Sequence, residues 1–183
     1  MSSPNSSAVP ADHQPADHGE ATIVDAFVRV AEVSYCAYAE PCDAPRLVEL
    51  EEAWLEMGGA ATEWLRVSVE FSGDCFGHMV LHVPLDIARD LVAAFMGLMP
   101  DEPVADELLN DAIGEFGNMV CGAWLTDAAT RLNFALKPPQ VVREGTAFNP
   151  VEALGADDGE GTAYGMALNE RPALLRVRLE ALL

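Results

Sequence analysis

Residues Asp106 to Thr126 have the sequence DELLNDAIGEFGNMVCGAWLT, and this stretch decides how the rest of the chain is interpreted. At about 100° per residue, its large apolar side chains fall within one broad arc of a helix. Three polar side chains at i, i+4 and i+7 form a stripe on the opposite side: Asp111, Glu115 and Asn118. Gly122 continues the stripe and Gly114 borders it. The pattern therefore predicts a helix with one face in the core and one carboxylate–carboxamide face outside it.

Glycine is unusually frequent on this helix, at positions 114, 117 and 122. A glycine inside a helix costs about 1 kcal/mol relative to alanine, so such positions often mark a site of close approach. Two explanations stay open. The stripe is either a docking face that another molecule approaches, or a solvated helix surface whose glycines serve packing within the chain.

The stripe resembles the signature helix of the CheC/CheX/FliY family of chemotaxis phosphatases, D/S-x3-E-x2-N, at Asp111, Glu115 and Asn118. Upstream, VSVEFSGDCFGHMVLHVPLDIARDLVAAFMG (Val67 to Gly97) is similar to the family's hairpin and following helix. Downstream, FALKPPQVVREG (Phe134 to Gly145) is similar to its strand ending in proline and its turn. One signature is visible, which is the CheX pattern, since CheC-type members typically carry two.

This resemblance implies a protein phosphatase that accelerates hydrolysis of the phosphoaspartate of a CheY-type response-regulator receiver in two-component signalling. It implies that Asn118 orients the attacking water and that Glu115 pairs with the receiver's active-site lysine. Asp111, Gly114 and Gly122 are expected to contact the partner. The Mg²⁺ ion is expected in the receiver, with no cofactor or metal in this chain. The alternative is a non-catalytic binding or adaptor module that uses the same face. The resemblance also implies a homodimer joined through edge strands.

Composition and charge agree with a cytoplasmic protein that meets other proteins. The length of 183 residues suits one domain with a sizeable core. No uninterrupted apolar run approaches the roughly 20 residues that span a bilayer, and the first residues lack a signal-peptide pattern. A formal net charge of −20 disfavours nonspecific binding to nucleic acid or anionic membranes. The cysteines form no CxxC pair and are predicted to be buried thiols rather than a disulfide frame or zinc site.

The order of predicted elements indicates an α+β fold, a CheX-like single domain with an antiparallel sheet packed against helices. Residues 1–20 are rich in Ser, Pro, Ala and Asp and are predicted to be a disordered tail, leaving 21–183 as the domain. We expect helices at about 23–39, within 42–62, at 85–99 and through the signature. Strands are expected at 63–71, 75–83, 130–136, 140–143, 162–169 and 173–182, with a glycine-rich loop at 155–161.

Other candidate sites are weaker. His78 and His82 lie on the same face of a predicted strand but about 13 Å apart, too far to share one metal ion. The sequence shows no P-loop, dinucleotide glycine fingerprint, nucleophile elbow or HExxH motif. The signature helix therefore remains the main candidate for chemistry.

Overall fold

The computed structural model describes residues 18–57, 61–99, 102–128, 133–156, 159 and 161–180. Helices and strands follow one another along the described chain, and the strands form a single sheet. Their bounds are α1 His18–Tyr35, β1 Ala39–Cys42, α2 Ala44–Glu56, β2 Trp64–Gly73, β3 Phe76–Pro84, α3 Leu85–Met96, α4 Asp106–Ala128, β4 Phe134–Leu136, β5 Gln140–Gly145, α5 Pro150–Gly155, β6 Thr162–Leu168 and β7 Arg171–Glu180.

The sheet is antiparallel throughout the described strands, in the order β1-β6-β7-β3-β2. Beyond β2, the last position is shared by β4, which pairs with residues 71–73, and β5, which pairs with residues 64–68. The predicted α+β class, with an antiparallel sheet packed against helices, is confirmed. Strands β1 and β4/β5 form the edges through which the predicted homodimer would join.

Helices lie on both faces of the sheet. A Cβ atom built on Gly117 of α4 would lie 2.8 Å from Val67 Cγ1, so α4 rests on the face that Val67 points to. Along a strand, successive side chains point to opposite faces. A Cβ atom built on Gly165, which points to the other face, would lie 3.1 Å from Leu47 Cδ1 and 3.4 Å from Leu154 Cδ2. Helices α2 and α5 therefore cover β6 and β7 from the opposite side.

The main core lies between the sheet and the helices α1, α3 and α4. Phe27 of α1 meets Phe116 of α4 edge to face at 5.6 Å between ring centroids. Phe71 of β2 meets Trp124 of α4 in the same way at 5.8 Å. Aromatic pairs in this geometry add to the free energy gained by burying their area. The middle and the C-terminal part of α4 are thus held by large buried rings, so its outer face is presented on a firm support.

Two short elements and one helix boundary differ from the sequence-based prediction. Helix α1 begins at His18 and ends at Tyr35. Of the predicted end of this helix, residues 36–38 form neither helix nor strand, and Ala39 begins strand β1, which pairs with β6. The segment before the glycine-rich loop contains α5, which begins with the N-cap Asn149 and Pro150. The uncertain helix within 42–62 is present as α2, capped by Asp43.

The predicted tail falls mainly on residues 1–17, which lie outside the described residues. In the part of the chain that the structure describes, no helix is long and apolar enough to cross a membrane. The expectation that all cysteines are buried is corrected: Cys75 and Cys121 are buried, Cys42 is half-buried and Cys36 is exposed just after α1 ends.

Candidate functional site

The signature helix is α4, and its faces are divided as the periodicity predicts. Ten of its residues are buried on the side toward the core, which largely overlaps the apolar arc predicted from the sequence. They are Leu109, Ala112, Ile113, Gly114, Phe116, Gly117, Val120, Cys121, Trp124 and Leu125. On the outer face, Asp111 and Glu115 are exposed, whereas Asn118 and Gly122 are half-buried. The structure thus brings Asp111, Glu115, Asn118 and Gly122 together in one stripe on the molecular surface.

Ion pairs connect both ends of α4 to the neighbouring elements. Near the C-terminal end, Arg29 of α1 and Asp127 lie 2.7 Å apart. At the N-terminal end, Asp106 lies 2.5 Å from Arg143 of β5 and 3.8 Å from Arg89 of α3. A carboxylate in the first turn also interacts favourably with the helix dipole. These exposed pairs are individually weak, and they connect α4 to α1 at one end and to α3 and β5 at the other.

Two of the glycines serve packing within the chain. A Cβ atom built on Gly117 would lie 2.8 Å from Val67 Cγ1, well inside normal carbon–carbon contact. On Gly114 the same atom would lie 3.0 Å from Pro139 Cγ, and Gly114 is buried. Gly114 thus faces the chain's own Pro139 and lets α4 approach the segment between β4 and β5, while its partner-binding role stays a prediction.

Gly122 differs from the other two glycines. A Cβ atom built there would meet only Leu136 Cδ1, at 3.6 Å, which is an ordinary van der Waals contact. Gly122 is half-buried and lies one turn beyond Asn118 on the stripe. Packing within the chain does not require a glycine at this position, so its partner-binding role stays a prediction.

Glu115 and Asn118 are in direct contact. Asn118 donates a hydrogen bond from Nδ2 to Glu115 Oε2 at 3.4 Å, which is long for such a bond. The amide oxygen Asn118 Oδ1 is buried and accepts no hydrogen bond from any described residue. Buried amide oxygens are normally paired, so this one marks an acceptor that the fold leaves unused. The site therefore offers an exposed carboxylate beside a weakly held carboxamide.

Tyr35, at the end of α1, supports the turn of α4 that precedes Glu115. Its hydroxyl donates a hydrogen bond to the carbonyl oxygen of Ala112 at 2.9 Å, and its ring meets Phe116 edge to face at 4.8 Å. Burial raises the pKa of Tyr35, and the negative charge of Glu115 raises it further. Tyr35 therefore stays protonated and close to Glu115, where it acts as a neutral support.

The chain between β4 and β5 lies beside the stripe, and the sequence did not indicate that it belongs to the site. Leu136 lies next to Gly122, and Pro139 lies next to Gly114. The only signal in the sequence was the Pro138-Pro139 pair, which marks a rigid connection without indicating what it touches. Among the described residues, no group of three or more His, Cys, Asp or Glu side chains is arranged to hold a metal ion.

Comparisons with known proteins identify the family that this geometry resembles. The sequence pattern of the family described as "Chemotaxis phosphatase CheX" matches residues 66–150, which include the stripe. None of the curated proteins compared with the chain matches it. The resemblance to the CheC/CheX/FliY family read from the sequence is confirmed by this match and by solved structures of the same fold.

Three crystal structures illustrate the shared fold. The chemotaxis protein CheX from Vibrio vulnificus is 16% identical, with a TM-score of 0.63 over 90% of this chain and 97% of that one. CheX from Desulfovibrio desulfuricans is 16% identical, with a TM-score of 0.62 over 90% and 100% of the two chains. The CheX-CheY-BeF3-Mg complex from Borrelia burgdorferi is 12% identical, with a TM-score of 0.56 over 88% and 97%.

Proposed function

We propose, from the confirmed resemblance of this chain to the CheC/CheX/FliY family, that it accelerates hydrolysis of the phosphoaspartate of a CheY-type receiver domain. The single observation that carries the proposal is the contact between exposed Glu115 and Asn118 on a firmly packed helix, with the Asn118 amide oxygen unpaired. The complex of a CheX protein with CheY and beryllofluoride supports a phosphorylated receiver as the partner.

Hydrolysis of the phosphoaspartate requires few chemical groups from the protein that binds the receiver. Hydrolysis splits the acyl phosphate with one water, giving aspartate and inorganic phosphate, and Mg²⁺ in the receiver neutralises charge on the phosphoryl group. What remains is to place the water in line with the scissile bond, and positioning alone contributes large rate factors. The carboxamide of Asn118 both donates and accepts hydrogen bonds, so it orients a water without taking its proton.

Glu115 has the complementary role of fixing the complex. Its carboxylate is exposed and one helical turn from Asn118, so a receiver lysine that pairs with Glu115 brings the phosphoryl group to the carboxamide. Because Glu115 is engaged in an ion pair, it does not act as a general base. Asp111 lies one turn further out on the stripe and contributes to the contact surface, as Gly122 does at the other end.

Release of inorganic phosphate from a receiver phosphorylated by a small-molecule donor tests the proposal. We expect the wild-type chain to accelerate release and Asn118→Ala to reduce the acceleration by roughly 100-fold, because the water loses its orienting group. Asn118→Ala should retain affinity for a beryllofluoride-loaded receiver. Asn110→Ala, an exposed asparagine of the same helix off the stripe, is the matched control and should behave as wild type.

Two results would contradict this function. An Asn118→Ala variant as fast as wild type removes the catalytic role of the carboxamide. A wild-type chain that binds the loaded receiver without accelerating phosphate release identifies a non-catalytic binding module instead.

A further inference from the structure

The last turn of α3 and the residues that follow it form an exposed apolar run. Residues 94–99 have the sequence AFMGLM, and five of these six residues are exposed, among them Phe95, Met96 and Met99. The exposed fraction is 71% for Met99 and 46% for Met96. A contiguous exposed apolar surface on a soluble protein is typical of an interaction site. Residues 94–99 are called the apolar patch below.

The apolar patch has an ordered backbone. Leu98 donates a backbone hydrogen bond to the carbonyl oxygen of Ala93 at 2.9 Å, and Gly97 ends the helix in the left-handed conformation. The carbonyl oxygen of Met99 accepts a hydrogen bond from the N–H of Glu102 at 2.9 Å. A surface whose backbone is already ordered loses less conformational entropy on binding, so the patch suits a docking role.

The apolar patch lies beside the stripe, and Tyr35 connects the two. The ring of Phe95 stacks on the ring of Tyr35 at 4.6 Å between centroids. The Tyr35 hydroxyl donates a hydrogen bond to the carbonyl oxygen of Ala112 at 2.9 Å. Ala112 directly follows Asp111 and precedes Glu115 by less than one helical turn. The Tyr35 side chain alone therefore spans the distance between Phe95 and the part of α4 that carries both carboxylates.

The stripe by itself is too small to hold a protein partner. From Asp111 to Gly122 the helix rises by about 16 Å, and one helix face is about 10 Å wide. A stable protein–protein interface buries about 800 Å² on each partner, which is several times the area of such a face. A receiver that places its phosphoryl group at Asn118 therefore has to contact surfaces beside the stripe as well.

We propose that the apolar patch is a second contact surface for the receiver domain and binds apolar side chains of the receiver. This inference rests on the proposed function. The stripe supplies an exposed carboxylate, whose attraction to a cation is screened by salt, whereas the patch supplies apolar area whose burial does not depend on charge. Met96 and Met99 have flexible side chains that adapt to the shape of a partner. The patch therefore raises affinity for the receiver without placing the attacking water.

The test replaces apolar side chains of the patch by polar ones of similar size. In the double variant Met96→Gln, Met99→Gln, we expect the Kd for a beryllofluoride-loaded receiver to rise about tenfold, because apolar burial is lost and an amide has to be desolvated. KM for phosphate release should rise as well, whereas kcat at saturating receiver stays unchanged because the stripe is intact. The rise in Kd should persist at high salt, unlike the rise caused by Glu115→Ala.

Met57→Gln is the matched control and should bind the receiver as wild type does. Met57 is 76% exposed where α2 ends, on the other side of the sheet. Met96 and Met99 are exposed too, so the exchange leaves the core intact. Phe95 is left unchanged in the test, because its ring stacks on the buried Tyr35 and its loss would disturb packing.

Three results would overturn the inference. The first is an equal Kd for the double variant and wild type, and the second is an equal rise in Kd for Met57→Gln. The third is weaker self-association of the double variant with unchanged binding of the receiver, which would assign the patch to a second copy of this chain.

A failure of the proposed function gives a different result. A wild-type chain that binds the loaded receiver without releasing phosphate contradicts the phosphatase role alone, and the Kd values then decide the inference about the patch. A wild-type chain that does not bind the loaded receiver contradicts both.

Discussion

Glu115 is an exposed carboxylate beside Asn118, and it is expected to control affinity rather than rate. Removing one member of a desolvated ion pair costs about 2 kcal/mol or more. We therefore expect Glu115→Ala to weaken binding of a beryllofluoride-loaded receiver by roughly 30-fold. Glu115→Lys should weaken it further, because a second cation then faces the receiver's lysine. Isothermal titration of the variants against the loaded receiver measures both effects.

Glu52 provides the control for this charge change. It is exposed on α2, on the opposite side of the sheet from the stripe, and Glu52→Lys alters the net charge of the chain by the same amount. If Glu52→Lys weakens binding as much as Glu115→Lys does, the effect is general electrostatic attraction and no specific ion pair at Glu115 exists.

At this scale the sequence predicted the positions of Glu115 and Asn118 on one face, because helical periodicity depends only on spacing. It did not predict that Gly114 faces Pro139, since that contact joins residues distant along the chain. The weak hold on the Asn118 carboxamide is likewise a tertiary property, because it depends on which donors the fold brings near the buried amide oxygen.

Two glycines of helix α4, Gly117 and Gly122, are expected to respond differently to replacement by alanine. Gly122→Ala is expected to raise stability by up to about 1 kcal/mol, because alanine favours helix and its Cβ finds room beside Leu136. Gly117→Ala is expected to lower stability by about 1–3 kcal/mol, because its Cβ overlaps Val67 Cγ1. Thermal denaturation of the two variants measures the difference. A Gly122→Ala variant less stable than Gly117→Ala would show that Gly122 is the more tightly packed position.

Short elements were the least predictable part of the fold. Strand β1 has four residues, Ala39–Cys42, including a proline, and only its pairing with β6 makes it a strand. Helix α5 carried a readable signal, since Asn149 caps its first turn through bonds to Val151 and Glu152 and Pro150 follows at the first helical position. Its six residues are too few for a periodic apolar pattern, whereas the long helix α4 shows one clearly.

For the whole molecule, the sheet separates the stripe from a polar network on its other face. There His82 of β3 is buried, stacks on Phe148 at 4.0 Å and places Nε2 at 3.2 Å from Glu144 Oε2. Burial, followed by the positive charges of Arg66 and Arg176, lowers the pKa of His82 to about 4. At neutral pH the imidazole is therefore uncharged in the folded protein, even though a carboxylate lies next to it.

This buried histidine makes the stability of the molecule sensitive to mild acid. The ordinary pKa of 6.5 applies to the unfolded chain, which therefore takes up the proton at a higher pH than the folded protein does. The contribution of the uncharged His82 to stability is full above about pH 6.5, falls as the pH decreases, and is lost completely near pH 4. Between pH 7 and pH 5 the contribution of His82 to stability changes by about 2 kcal/mol.

Urea denaturation at pH 7 and at pH 5 should show that a His82→Gln variant loses about 2 kcal/mol less stability than wild type between these two pH values. His78→Gln, on the same face of β3, is the control and should lose as much as wild type. An equal loss in His82→Gln and wild type would assign the acid sensitivity to other groups.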